Sequence, residues 1–184
     1  MKNASLNSLS KEFNYYKSLG EKTLNQLSDS ELNWTPNEAS NSMATIVKHL
    51  SGNMLSRWTN IFKEDGEKIW RNRDQEFIAD EWDKEAVLKQ WNSGWNCFFD
   101  TFNQLESTDL EKIIYIRNQG HTVLEALNRQ LAHYAYHIGQ LVFIGKLIKN
   151  TDWKSLSIPK GKSTEYNTLK FLNKKSKTHF TEDL

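Results

Sequence analysis

Four stretches of this chain repeat apolar side chains at helical spacing, and only 2 prolines and 8 glycines stand among its 184 residues. So few breakers favour long helices. The first stretch, residues 6–27, places Leu6, Leu9, Phe13, Tyr16, Leu24 and Leu27 close to a heptad seam, with Gly20 in one of its positions. The second starts at Asn41 or Ser42, both good caps, runs to about Phe62, and aligns Met43, Ile46, Val47, Leu50, Met54 and Ile61. The third, residues 83–105, carries Val87, Leu88, Trp91, Trp95, Phe98, Phe102 and Leu105 on one stripe. The fourth opens on the capping-box pair Thr122 and Glu125 and runs to about Lys149. The pattern predicts an all-α fold, a four-helix bundle in one domain over residues 1–184.

The connections are less regular. Residues 64–80, with Asp65-Gly66-Glu67-Lys68 and Trp70-Arg71-Asn72-Arg73-Asp74, form a long charged loop after the second helix. Loops of that length in small domains are often functional, which makes this one a candidate for the mouth of a site. Residues 110–117 read as extended or irregular, with a turn at Asn118-Gln119-Gly120. Beyond Asn150 a short C-terminal extension resumes as a helix through Tyr166 and Leu169, and residues 170–184 read as a partly flexible tail.

Hydrophobic residues make up 38%, charged residues 26%, and the net charge is +1, an ordinary balance that gives no electrostatic reason to propose nucleic acid. The 7 tryptophans predict a core assembled from large rings. Cys97 is the single cysteine, so no intrachain disulfide forms, and beside Trp95, Phe98 and Phe99 it reads as a small buried hydrophobe rather than a nucleophile. The stretch Met1 to Ser5 lacks the apolar run of a signal peptide, and no apolar run approaches the roughly 18 residues that span a bilayer. The expectation is a cytoplasmic protein with no membrane partner.

Chemistry concentrates on the fourth helix. His133 and His137 are one turn apart, so both imidazoles reach one point on one face. Arg129, Gln130, His133, His137 and Gln140 fall within an arc of roughly 100° on a helix otherwise largely apolar. Burying such a seam unpaired is costly, so it should meet a ligand, an ion or itself. On the second helix His49, Asn53 and Arg57 follow one another at i, i+4 and i+8, with His49 at the edge of the apolar stripe, from which it could close the site. Three imidazoles leave a coordination position open, as catalytic sites do. The set suits zinc, nickel, iron or copper and not magnesium or calcium. Gln140, Gln130 or Arg129 are candidates to fix imidazole orientation. His121 reads as an end-of-helix residue, and His179 as exposed and without a partner. Tyr134 follows His133 where a zinc protease would have glutamate, and neither a nucleophile elbow nor a glycine-rich phosphate loop is present.

At Asn41 through Leu50, Asp65 through Lys68, Arg71 through Asp74, Arg129 through Gln140 and Leu156 through Ser163, the chain resembles the DinB/YfiT-like superfamily of metal-dependent enzymes, closest to a subfamily of unknown function. The resemblance spans the first helix to about Asn167. It implies a four-helix bundle, a divalent transition metal held by His49, His133 and His137, and a homodimer. Some relatives transfer low-molecular-weight thiols such as bacillithiol or glutathione, and others isomerise maleylpyruvate with a thiol cofactor.

These readings converge on a metal-dependent thiol S-transferase-like enzyme acting on a small molecule, with zinc, nickel or iron and a low-molecular-weight thiol as cofactors. Asn53, Arg57, Arg129 and Gln140 are the candidate substrate-binding residues, with Arg57, Arg129 or the arginines of the 64–80 loop for carboxylates of the thiol. A metal-dependent hydrolase and a non-catalytic metal-binding bundle are the alternatives. Thiol dependence of any activity separates the first from the second.

Overall fold

The computed structural model describes residues 4–78 and 80–182. The stretch Met1 to Asn3, on which part of the signal-peptide reading rests, lies outside the described residues, as do the last two residues of the tail. The molecule is mostly helical. Its elements are α1 (Ala4–Leu24), α2 (Asp29–Leu32), α3 (Met43–Trp58), α4 (Lys84–Gln104), β1 (Ile113–Ile116), β2 (Gln119–Thr122), α5 (Val123–Lys149) and α6 (Ser163–Leu172). The four long helices, α1, α3, α4 and α5, coincide with the four periodic stretches. No helix among the described residues is long and apolar enough to cross a membrane.

Local chemistry sets the helix ends. Ser42 Oγ accepts from Thr45 N at the start of α3, and Asp83 does the same for Ala86 N at the start of α4. At α5 the box closes both ways: Glu125 N donates to Thr122 Oγ1 at 3.1 Å and Thr122 N donates to Glu125 Oε2 at 2.8 Å. The second helix ends at Trp58 rather than near Phe62, because Asn60 takes a positive φ of 52° and turns the chain.

Packing is aromatic. α3 packs along α4, α1 along α5, and α3 also meets α5. Phe13, Trp58, Trp91, Trp95, Phe98, Phe102 and Tyr134 are all fully buried between them. Phe13 and Phe98 lie 4.3 Å apart by ring centroid, Trp58 and Phe98 5.1 Å. Trp34 and Trp70 stand exposed, whereas Trp58, Trp91 and Trp95 of the periodic helices are fully buried and the loop residue Trp82 packs partly buried against the core.

The backbones of α3 and α4 approach closely at Gly94 of α4, where a Cβ would fall 2.8 Å from Ser51 Cα of α3. Replacing glycine gains at most about 1 kcal/mol of helix propensity, whereas overpacking a rigid contact costs about 1–3 kcal/mol. Gly94→Val is therefore expected to lower stability, read as a fall in the urea midpoint at unchanged slope. An unchanged or raised midpoint would show that the two helices separate easily there.

The region read as extended is a two-stranded antiparallel hairpin, with Ile113 opposite Thr122 and Ile116 opposite Gln119. Its turn is Arg117-Asn118, not Asn118-Gln119-Gly120. Both turn residues have positive φ, 54° and 58°, which suits the right-handed twist of a tight hairpin. The strain at Arg117 is met by Asp65, whose carboxylate accepts the backbone N–H groups of Arg117 and Asn118, each at 2.8 Å. Gly66 N donates to Tyr115 O at 2.8 Å, so the charged loop is stitched to the hairpin edge. The loop then makes a 3-10 turn, Asp74–Phe77, packed on α3. After α5 the short α6 has no buried residue. His179 is half-buried, not exposed. Its Nδ1 contacts Thr181 Oγ1 at 2.8 Å and its Nε2 lies 3.7 Å from Glu12 of α1.

Candidate metal centre

His49 from α3 and His133 and His137 from α5 meet where those helices touch. Nε2 of His133 lies 3.4 Å from Nε2 of His49 and 3.1 Å from Nε2 of His137. One candidate ligand atom from each residue lies within 4.8 Å of the others. Two imidazole nitrogens on a tetrahedral zinc, each at about 2.0–2.1 Å, are separated by about 3.3 Å. The two spacings to His133 lie close to that figure.

Hydrogen bonds on the far side of two rings decide which nitrogen carries the proton. His49 Nδ1 lies 2.9 Å from Glu76 Oε2, and a carboxylate only accepts, so Nδ1 donates and Nε2 keeps its lone pair. Burial alone would raise the Glu76 pKa, but hydrogen bonds from His49 and Arg71 outweigh it and hold the carboxyl below its ordinary value. Arg71 grips that carboxylate with Nε at 2.7 Å and Nη2 at 2.9 Å. Gly52 makes room for it: a Cβ there would overlap Glu76 Oε1. On α5, His137 Nδ1 donates to Gln140 Oε1 at 2.7 Å, and Gln140 in turn donates through Nε2 to Tyr136 OH. His137 Nε2 is thus also a bare acceptor.

Two lone pairs are therefore fixed toward His133 Nε2. That nitrogen can carry one proton and satisfy one of them. A cation at the convergence satisfies all three, so the donor set and its spacing fit a divalent transition ion. Burial, with the neighbouring histidines second, pushes His133 down to about 3, and burial pushes His137 down to about 4. Both rings are neutral near pH 7, the form that ligates.

The remaining predicted residues take different places. Asn53 is buried one turn after His49 and its Oδ1 accepts from Tyr134 OH at 3.4 Å, while Tyr134 OH accepts from Trp58 Nε1 at 2.9 Å. Arg57 is buried, donates to Gly66 O and pairs with Glu67 at 3.1 Å. Arg129 is exposed, with Nη1 3.1 Å from Nε2 of His121, which sits on β2. Gln140 stands behind His137 as an orienting partner. A cleft of about 250 Å³ opens beside His49 and His133, lined also by Asn53 and by arginines from α3, α5, the loop and the hairpin turn. Cys97 is half-buried, and burial pushes its thiol up, away from thiolate chemistry.

Glu76 and Arg71 were not singled out individually by the sequence. Glu76 is 27 positions from His49 in a segment without periodicity, and only the length of the charged loop pointed toward it.

A family model described as "Protein of unknown function (DUF1572)" matches residues 1–162. The chain belongs to the DUF1572 family. No curated protein matches it. Among solved structures, the DUF1572 chain is similar to one described as the conserved protein of locus from Enterococcus faecalis, at 18% identity and a TM-score of 0.62. That match covers 82% of this chain and 99% of the other, and it shows a shared fold.

Proposed function

We propose that this protein is a divalent-metal-dependent enzyme of the DinB/YfiT-like type, a thiol S-transferase acting on a small molecule. In this reading α1, α3, α4 and α5 form the superfamily's four-helix bundle, and His49, His133 and His137 hold the metal. The observation that carries it is the convergence of three imidazole nitrogens, two with tautomers fixed by Glu76 and Gln140. A cytoplasmic homodimer belongs to the same proposal. The single cysteine suits a reducing compartment, and Phe143 and Leu147 lie exposed one turn apart on α5.

A bound divalent ion would supply Lewis acidity that lowers the pKa of a thiol and presents it as thiolate. The chain's own residues do the rest. His133 and His137 stay neutral near pH 7, while Glu76 orients His49 and Gln140 orients His137. Asn53, Arg57 and Arg129 hold the small molecule, and Gln140 keeps His137 in its ligating tautomer. Cys97, half-buried with a raised pKa, is no source of the sulfur, so the thiol comes from solution. Glu76, the carboxylate beside His49, is engaged by His49 and Arg71 and is not placed to serve as the general base of a hydrolase. A purely structural ion is less well supported, because structural zinc sites close with four protein ligands.

In the cobalt-substituted protein, glutathione or bacillithiol is expected to produce a sulfur-to-metal charge-transfer band. Its pH midpoint should lie below the free thiol's roughly 8.5. Conjugation of the same thiol to an electrophile should disappear in His133→Ala. A cobalt spectrum indifferent to every thiol, together with metal-dependent ester or amide hydrolysis, would replace this reading with the hydrolase.

A further inference from the structure

The short helix α6 spends its apolar side on water. It is ten residues long, Ser163–Leu172, and none of them is buried. Helices shorter than about 12–15 residues are marginal in water and draw most of their stability from packing an amphipathic face. Here Leu169 is 60% exposed, Leu172 79% and Phe171 85%. At about 100° per residue those three fall within an arc of roughly 160°, with Ser163, Asn167 and Lys170 on the opposite side. Glu165 shares the apolar side in the first turn, where Lys162 pairs with it at 2.9 Å.

Charge on the same segment has one sign. Residues 160–177 contain six lysines, Lys160, Lys162, Lys170, Lys174, Lys175 and Lys177, against the single acidic residue Glu165. The whole chain carries only +1, so the rest of it is net negative. Lys174, Lys175 and Lys177 are exposed directly after the apolar side chains. The segment is tied to the body at both ends. Before it, Gln26 accepts from Lys154 N at 2.9 Å and donates to Lys154 O at 3.2 Å. After it, the ring of Phe180 meets that of Tyr15 on α1 at 5.6 Å between centroids. The helix and its lysines are thus held as a tethered span on the α1 side of the molecule.

We propose that α6 and its flanking lysines dock on an anionic lipid surface. Leu169, Phe171 and Leu172 enter the boundary between headgroups and acyl chains, and the lysines meet the lipid phosphates. Apolar burial and attraction to anionic lipid are the two contributions that hold a helix in that plane. A second copy of α6 would bring the same positive charge, and an acidic protein surface would answer the lysines without burying the apolar side chains. An anionic bilayer answers both. The expectation of no membrane partner rests on the absence of a spanning run, and a helix lying in the interface needs none. The metal centre takes no part in this inference.

The test is co-sedimentation of the full chain with vesicles of equimolar phosphatidylglycerol and phosphatidylcholine, and with vesicles of phosphatidylcholine alone. Binding is expected to the anionic vesicles and should weaken as salt is raised. Lys174→Gln, Lys175→Gln and Lys177→Gln combined should weaken it about 100-fold, since three basic groups leave the bilayer surface. Leu169→Ser, Phe171→Ser and Leu172→Ser combined should weaken it about tenfold or more. All six side chains are exposed, so both variants should keep the wild-type thermal midpoint, measured alongside. Protein left in the supernatant with anionic vesicles would overturn the proposal. Equal binding to phosphatidylcholine alone would overturn the part given to the lysines. Unchanged binding of the triple serine variant would overturn the inserted helix and leave a purely electrostatic attachment. If no vesicle binds but the triple serine variant dissociates an oligomer in analytical ultracentrifugation, the apolar side belongs to a second copy instead.

Discussion

Alanine at any one of His49, His133 or His137 is expected to reduce zinc or nickel affinity by about 100-fold or more. Losing an outer hydrogen-bond partner of a ligand already costs about 10–100-fold, and these substitutions remove the donor itself. Each takes one of three nitrogens from a site with no fourth histidine to replace it: His121 lies on β2 against Arg129, and His179 contacts Glu12 and Thr181. His121→Ala and His179→Ala should therefore leave affinity unchanged. Competition against a chromophoric chelator measures all five variants, with circular dichroism to show that each is folded. His49→Ala at wild-type affinity would mean that α3 supplies no ligand and that the convergence is a packing accident.

The contrast among these histidines shows what sequence could and could not reveal. His133 and His137 announce themselves because an i, i+4 spacing needs nothing beyond one helix. His49 required the further inference that α3 faces α5, which its place at the edge of an apolar stripe suggested. The helix starts were equally local: Ser42, Asp83 and Thr122 each cap from their own side chains. Elements built by distant contacts were not legible in the same way. The hairpin turn at Arg117-Asn118 depends on Asp65, more than 50 positions earlier, 52 for Arg117. The contact between His179 and Glu12 joins the two ends of the chain. Of the three seam residues that were candidates to orient an imidazole, Gln140 is the one that stands behind His137. Loops carry no period to betray which side chains turn inward, so Trp70 and Arg71, adjacent in sequence, end respectively exposed and buried at the site.

Glu76 is the sharpest case, because stability and metal binding both pass through it. Glu76→Gln is nearly isosteric, but its amide cannot accept from His49 Nδ1 and also satisfy both nitrogens that Arg71 presents. Breaking a buried charged pair from one side costs about 3–5 kcal/mol. Arg71 retains Glu67 at 3.4 Å, which offsets part of that loss and leaves about 2–3 kcal/mol. Metal affinity should fall about 10–100-fold, since His49 loses the partner that fixes its tautomer. The pH dependence gives the two effects a common signature. The Glu76 carboxyl is held below its ordinary 4.5 in the folded protein, so its contribution is present above that value and is lost as pH falls through the lower, folded pKa. The stability gap between wild type and Glu76→Gln should accordingly be full at pH 7 and close in acid. A gap that persists unchanged in acid would trace the loss to packing rather than to charge. Unaltered metal affinity in a destabilised variant would show that His49 is oriented by α3 alone.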